Sequence, residues 1–240
     1  MPPKRLYNKH GSCVDQTLKD IVQNRVIIGI DLSISSSAVS VCDSKNRLLY
    51  WYVFRSRVCE KDYVHNLTDG IFQGWSMHIV FKPRVPKLTN DRFIRYMHIV
   101  THIMKVIRCH HGPNTTIGIE HYSYGSTQTN ALTCLYELGT CMRLQMYVAS
   151  FQFVEISPCS VKKRFTGDGR ADKKKMVSQC ASILGIDSIC DVISGMGIAP
   201  RNTIVIHPLE DAVDAFAVSI SIHIQSNTSK RKRRKGNHVH

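Results

Sequence analysis

Val26-Ile27-Ile28-Gly29-Ile30-Asp31 is the stretch on which the fold turns. It is an apolar, largely β-branched run that ends on a carboxylate, the pattern of a buried central strand. Thr115-Thr116-Ile117-Gly118-Ile119-Glu120 repeats the design and again ends on an acid. Towards the C-terminus, Pro208-Leu209-Glu210-Asp211-Ala212-Val213-Asp214-Ala215-Phe216-Ala217-Val218 opens as a helix should, with proline and acids in its first turn. Asp211 and Asp214 stand three residues apart there and share one helical face. Two strand-end carboxylates and one helical pair can therefore converge on a single point.

Such a convergence has a cost. Two like charges about 4 Å apart repel by roughly 4 kcal/mol at an effective dielectric near 20. Either the pKa values rise or divalent cations bridge the acids. Hard oxygen ligands suit magnesium or manganese, and two ions about 3.5–4 Å apart are a recurrent apparatus for phosphodiester hydrolysis. Taken singly, each acid has an ordinary alternative: Asp31 in a turn, Glu120 on the surface, Asp211 and Asp214 as helix-start acids. All four alternatives holding together is the weaker explanation.

A second stretch strengthens the case. Ser157-Pro158-Cys159-Ser160-Val161-Lys162-Lys163-Arg164-Phe165-Thr166-Gly167-Asp168-Gly169-Arg170-Ala171-Asp172-Lys173-Lys174-Lys175 sets a glycine-flanked turn between two basic segments. Asp172 is the expected N-cap of a helix that starts with three lysines. Lysines are a poor choice at that end, where the macrodipole is already positive. A phosphate backbone would neutralise them. The ordinary alternative is a solvated basic loop.

These pieces resemble the RuvC-type Holliday-junction resolvases of the RNase H-like superfamily. The matching residues are Gly29-Ile30-Asp31, Ile119-Glu120, the Thr166-Gly167-Asp168-Gly169-Arg170-Ala171-Asp172-Lys173 core and Asp211-Ala212-Val213-Asp214-Ala215-Phe216-Ala217, in the family's order. Gly-Ile-Asp alone is weak, since sugar kinases and transposases carry similar strand ends, whereas the glycine–arginine–alanine–aspartate–lysine segment is far more specific. The resemblance implies an α/β fold, RNase H-like, with a mixed five-stranded sheet flanked by helices. It implies that Asp31, Glu120, Asp211 and Asp214 bind two Mg2+ ions, with Mn2+ as a substitute. It also implies that Lys173 and Lys162 assist at the scissile phosphate. Lys163, Arg170, Lys174 and Lys175 are the expected DNA contacts.

The sequence departs from the family in places. Leu32-Ser33 stands where bacterial members usually have proline and glycine. Members often place an aromatic three residues after the second acid; here that position is Ser123, with Tyr122 and Tyr124 on either side as alternative DNA contacts. Some relatives put a histidine among the acids, which brings in His207, although a polar loop role is the ordinary alternative. Glu210 is a further acid in that cluster, expected to point away from the Asp211/Asp214 face. The helix after the second acidic strand contributes to a homodimer interface in the family, which points to 130–146 here; packing on the sheet is the alternative.

Composition agrees. The chain has 240 residues, 43% of them hydrophobic, enough for one well-cored domain and too apolar for a disordered chain. A net charge of +14 favours a polyanionic partner. The terminal run Lys230-Arg231-Lys232-Arg233-Arg234-Lys235 supplies six of those charges, so the body stays basic without it. Nine cysteines without a CxxC pair exclude a disulfide framework and a zinc module of ordinary spacing. Reduced thiols, no signal peptide and no apolar run long enough for a bilayer imply a soluble intracellular protein, cytoplasmic or nuclear, with no membrane partner.

Along the chain, 1–24 is expected as a loose extension, 25–224 as the nuclease domain and 225–240 as a disordered basic tail, serving DNA affinity or nuclear localisation. Strands are expected at 26–31, 38–42, 48–54, 115–120 and 151–156, with 56–89 an irregular insertion. Helices are expected at 90–110, 130–146, 173–184 and 209–224. In the first, Phe93, Ile94, Met97, Val100, Ile103, Met104 and Ile107 form a core-facing stripe. The function expected is a metal-dependent endonuclease that resolves branched DNA as a homodimer. The rivals are a flap or RNA–DNA hybrid nuclease and a non-catalytic DNA-binding protein. The basic tail and the departures from bacterial members point to a large DNA virus or phage as the source.

Overall fold

The apolar run ending at Asp31 forms strand β1, Ile27–Asp31, in the interior of a seven-stranded sheet. The computed structural model describes residues 25–55, 70–72, 75–81, 91–122, 129–187 and 207–236. Its other strands are β2, Ser36–Cys42; β3, Leu48–Arg55; β4, Gly70–Phe72; β5, Trp75–Phe81; β6, Thr116–Glu120; and β7, Phe153–Ile156. The helices among the described residues are α1, Asp91–His110; α2, Thr129–Val148; α3, Pro158–Thr166; α4, Lys173–Leu184; and α5, His207–Gly236.

The strand order is β4-β5-β3-β2-β1-β6-β7. β2 runs antiparallel to β1 and β3, while β1, β6 and β7 are mutually parallel neighbours. The five expected strands thus form one contiguous mixed run, β3-β2-β1-β6-β7. Two strands extend it where irregular chain was expected: β5 pairs parallel with β3, and β4 antiparallel with β5. Trp75-Ser76-Met77-His78-Ile79 alternates apolar and polar residues, a strand signal hidden between the punctuation of Gly70, Gly74 and Pro83.

Period-two alternation divides the core between the two sheet faces. Ile28, Ile30, Val39, Val41 and Phe54 pack with Ile99 and Ile103 of α1 and with Leu138, Met142 and Met146 of α2. Ile27, Ala38, Trp51 and Val53 pack on the other face with Val161 and Phe165 of α3, Met176 and Cys180 of α4, and Phe216 of α5. The stripe expected on α1 is buried only from Val100 onward. Phe93, Ile94 and Met97 are 45%, 45% and 46% exposed, because helical spacing identifies a face but not where the covering layer begins.

Helix α5 also overruns its expected end at Ile224 and continues through residue 236, across the segment expected to be disordered. Lysine and arginine are good helix formers, and positive charge is favoured at a helix C-terminus. The six cysteines among the described residues are all free thiols. None of the described helices is long and apolar enough to cross a membrane.

The feature that positions the site is the seat of α5 on β1. A Cβ on Gly29 would stand 2.2 Å from the Ala215 carbonyl oxygen and 2.5 Å from Ser219 Oγ. Ser40 Oγ donates to that same carbonyl at 2.8 Å and lies 2.7 Å from Ser219 Oγ. Helix backbone therefore rests almost on strand backbone. Gly29→Ala is expected to destabilise the protein by about 1–3 kcal/mol through overpacking, seen in thermal melts as a loss of ~2–4 °C per kcal/mol at this size. A melt unchanged from wild type would show that the seat is not tight.

Candidate active site

The alternation that turns Gly29 towards α5 turns Asp31 the same way, two residues further on. Gly118 of β6 lies against Ile222 and Val218 of α5, so Glu120 shares that face by the same count. The parallel register pairs Ile30 with Ile119 and carries Asp31 and Glu120 together to the C-terminal ends of their strands. Asp211 and Asp214 lie in the opening turns of α5, just before the Ala215 contact with β1. All four acids are partly buried.

Their mutual influence appears in their proton affinities. Burial raises the Asp31 carboxyl well above the usual carboxylate range, and Asp214, Glu120 and Asp211 raise it further, while Lys173 opposes them. Burial and Asp214 lift Glu120 to about 7 against the pull of Lys162. Asp214 is lifted to about 6 by burial, with Lys173 and Lys162 opposing and Asp211 assisting. The acids are close enough to repel one another, and two lysines are close enough to be felt by them.

Those lysines come from the basic segment, which folds as two short helices. Ser157 caps α3 by accepting from Ser160 N at 3.3 Å, with Pro158 in the first turn. Gly167 ends α3 in the left-handed region at φ 82°, donating to the Lys163 carbonyl. Asp172 caps α4 as expected, accepting from Lys175 N at 2.8 Å. The three lysines that follow have different fates. Lys173 pairs with Glu210, Lys175 pairs with Asp168 at 3.0 Å, and Lys174 is exposed with no ion pair among the described residues. Lys163 and Arg170 are exposed as well, whereas Lys162 is half-buried beside Glu120 and Asp214.

One expectation needs correction. Glu210 does not point away from the acid pair: it is four residues before Asp214, about 40° from it around the helix, and it raises the Asp214 pKa. Counting 210, 211 and 214 on a helical wheel would have found it. Tyr122 is engaged within the fold. Its ring lies under the Arg143 guanidinium, 4.4 Å from the ring centroid, and 4.4 Å from the Tyr136 ring. Its hydroxyl donates to the Tyr136 carbonyl and accepts from Arg143 Nη1 at 2.9 Å. A Cβ on Gly139 would stand 2.3 Å from that hydroxyl, so the glycine lets Tyr122 lie close against the helix. Arg143, not singled out from the sequence, also donates to Glu155 at 2.9 Å. Tyr124 lies outside the described residues, as does the side chain of His207.

An all-oxygen donor set of partly buried, mutually repelling carboxylates suits a hard dication. Among the described residues no three His, Cys, Asp or Glu side chains close up as tightly as a formed metal centre.

No protein-family profile matches the chain. It is 27% identical over 152 residues to the crossover junction endodeoxyribonuclease RuvC of Rubrobacter xylanophilus, which covers 62% of this chain and 75% of that one. The structure of Thermus thermophilus RuvC in complex with a Holliday junction substrate superposes with a TM-score of 0.51 at 14% identity, covering 85% of this chain and 96% of that one. The yeast mitochondrial Holliday junction resolvase Ydc2 gives a TM-score of 0.53 at 14% identity, over 93% of this chain and 90% of that one. Sequence and fold agree in direction: the chain is similar to RuvC in sequence and shares the fold of the RuvC and Ydc2 structures.

Proposed function

We propose that this protein is a metal-dependent endonuclease that resolves four-way DNA junctions, acting as a homodimer whose two sites cut opposed strands. The observation that carries this is the meeting of Asp31, Glu120, Asp211 and Asp214 with Lys162 and Lys173 at one end of a RuvC-type sheet. The junction is chosen as substrate because it is what the RuvC and Ydc2 relatives are named for. In support of a dimer, α2 exposes Leu144, Tyr147 and Val148 at 57%, 79% and 70%, more apolar surface than a lone helix face usually leaves to water.

In this mechanism Asp31, Glu120, Asp211 and Asp214 would hold two Mg2+ or Mn2+ ions. When bound, such ions supply an activated water and stabilise the leaving 3′ oxygen. The chain's own part is electrostatic. Lys173 presents its ammonium where charge builds on the phosphate, and Lys162 supports it from the Glu120 side. Lys163, Arg170, Lys174 and Lys175 bind the flanking backbone. A flap or hybrid nuclease would need the acids but not this loop, and a decayed nuclease would retain buried carboxylates at a standing cost.

Cleavage of matched four-way junction, flap, RNA–DNA hybrid and linear duplex substrates tests the assignment. Junction cutting should predominate, require Mg2+ or Mn2+, and be abolished by Asp31→Asn with junction binding retained. Near wild-type cutting by that variant would show the centre to be elsewhere.

The acids also make a stability prediction. Glu120 rises from an ordinary 4.5 to about 7 in the folded state, so the native protein keeps a proton that the unfolded chain releases. Stability of the metal-free protein therefore falls as pH rises across that interval. Glu120→Gln should raise the Tm in EDTA at pH 8 by at least ~2 °C, and the gain should disappear at the acid end of the interval. An equal effect at both pH values would mean that Glu120 titrates normally.

The three lysines of α4 should separate by role. Lys173→Ala should slow single-turnover cleavage at saturating enzyme by roughly 10²–10³ with little loss of affinity. Alanine at Lys174 or Lys175 should weaken junction binding with the saturating rate near wild type. Equal, affinity-only defects at all three would reduce the segment to a solvated basic loop.

A further inference from the structure

Glu210 is the fifth acid at this site, and the mechanism above leaves it without a task. Its side chain is only 11% exposed, whereas that of Lys173 is 59% exposed. Lys173 Nζ donates to Glu210 Oε2, joining the first residue of α4 to the first turn of α5 across 37 positions of sequence. Burial works against the ammonium more than any single partner favours it, but Glu210, Asp214 and Asp211 together outweigh it, the hydrogen bond to Glu210 foremost among them.

Lys173 has two reasons to leave the site. It stands at the positive end of α4, and its long stem gives a strongly hydrated ammonium easy access to water. Neither Asp214 nor Asp211 taken singly acts on it as strongly as the hydrogen-bonded Glu210. Glu210 is fixed by its burial and by its place on α5, the same helix that carries Asp211 and Asp214. A lysine tied to Glu210 is thereby tied to the frame of the acid cluster.

We propose that Glu210 is a positioning residue that acts through Lys173, holding its ammonium over the acid cluster so that it meets the scissile phosphate already oriented. An ammonium has three donors. One serves Glu210, and the others stay available to phosphate oxygens, so Glu210 and substrate share the lysine. Glu210 touches neither phosphate nor metal. The proposal rests on the endonuclease function argued above and extends it to a residue outside the four-acid set.

A double-mutant cycle decides it. Single-turnover junction cleavage at saturating enzyme, junction affinity and Mn2+ affinity are measured for wild type, Lys173→Ala, Glu210→Gln and the double variant. Glu210→Gln should slow cleavage roughly tenfold with junction and Mn2+ affinities within about twofold of wild type. Residues that act as a unit are non-additive, so the double variant should be no slower than Lys173→Ala, within about twofold. Multiplying defects, or an Mn2+ affinity lowered tenfold or more by Glu210→Gln, would overturn the proposal and make Glu210 an independent participant or a metal ligand. A wild-type rate in Glu210→Gln would overturn it too.

A readout independent of cleavage completes the test. Acylation of surface amines, read by peptide mass spectrometry, should rise several-fold at Lys173 in Glu210→Gln while Lys174 stays constant as the internal standard. Unchanged labelling of Lys173 would overturn the clamp whatever the protein cuts. A wild-type protein that cuts no junction while the labelling result holds would sink the endonuclease function and leave the ion pair standing.

Discussion

Everything at the acid cluster depends on how closely α5 can lie on β1. The Ala215 carbonyl and Ser219 occupy the space where a side chain at residue 29 would be. Ser40 satisfies both polar groups, so the contact buries no orphan. A Cβ at residue 29 would lift the helix off the sheet and carry Asp211 and Asp214 away from Asp31 with it. The same alternation that leaves Gly29 bare towards α5 delivers Asp31 to that side. Glycine and aspartate in Gly29-Ile30-Asp31 are therefore two parts of one device, one admitting the helix and one meeting what it brings.

Local rules made much of this legible in the sequence. Strand-end acids follow from apolar runs that stop at a carboxylate, and α4 begins where Asp172 caps it and ends before Gly185, both local signals. The family resemblance supplied the convergence of residues that no local rule can bring together. What escaped depends on neighbours. The first two turns of α1 carry the right spacing, yet among the described residues nothing covers Phe93, Ile94 and Met97, and β5 needs the edge of β3 to be a strand at all. Tyr122 sits beside the family's aromatic position, yet its fate is decided by Gly139 and Arg143 on another element. Glu210 was misjudged by simple helix geometry that the sequence did contain.

The site holds more negative charge than its lysines offset, and this imbalance marks it as built for use. Burial keeps Asp31, Glu120 and Asp214 reluctant to ionise. A fold selected for stability alone would replace such groups with apolar ones. Perturbed carboxyls against the ends of a parallel strand pair are where α/β sheets place their chemistry. Meanwhile Lys175 is drawn back to Asp168 and Lys174 faces solvent, so the basic run divides its charge between the site and its approach.

Arg143 extends this logic to the other side of the sheet end. Its guanidinium spans Tyr122, the Gly139 carbonyl and the Glu155 carboxylate, and reaches the Glu120 carbonyl at 3.5 Å. The backbone that leaves Glu120 is thus fastened to α2 by a planar fork that lysine could not reproduce. Leu144 follows Arg143 directly, and Tyr147 lies one helical turn beyond it, both outward and apolar. The exposed face of α2 and the clamp on the second acidic strand therefore belong to the same stretch of rigid helix. A contact made on that face would bear, through Arg143, on the strand that carries Glu120.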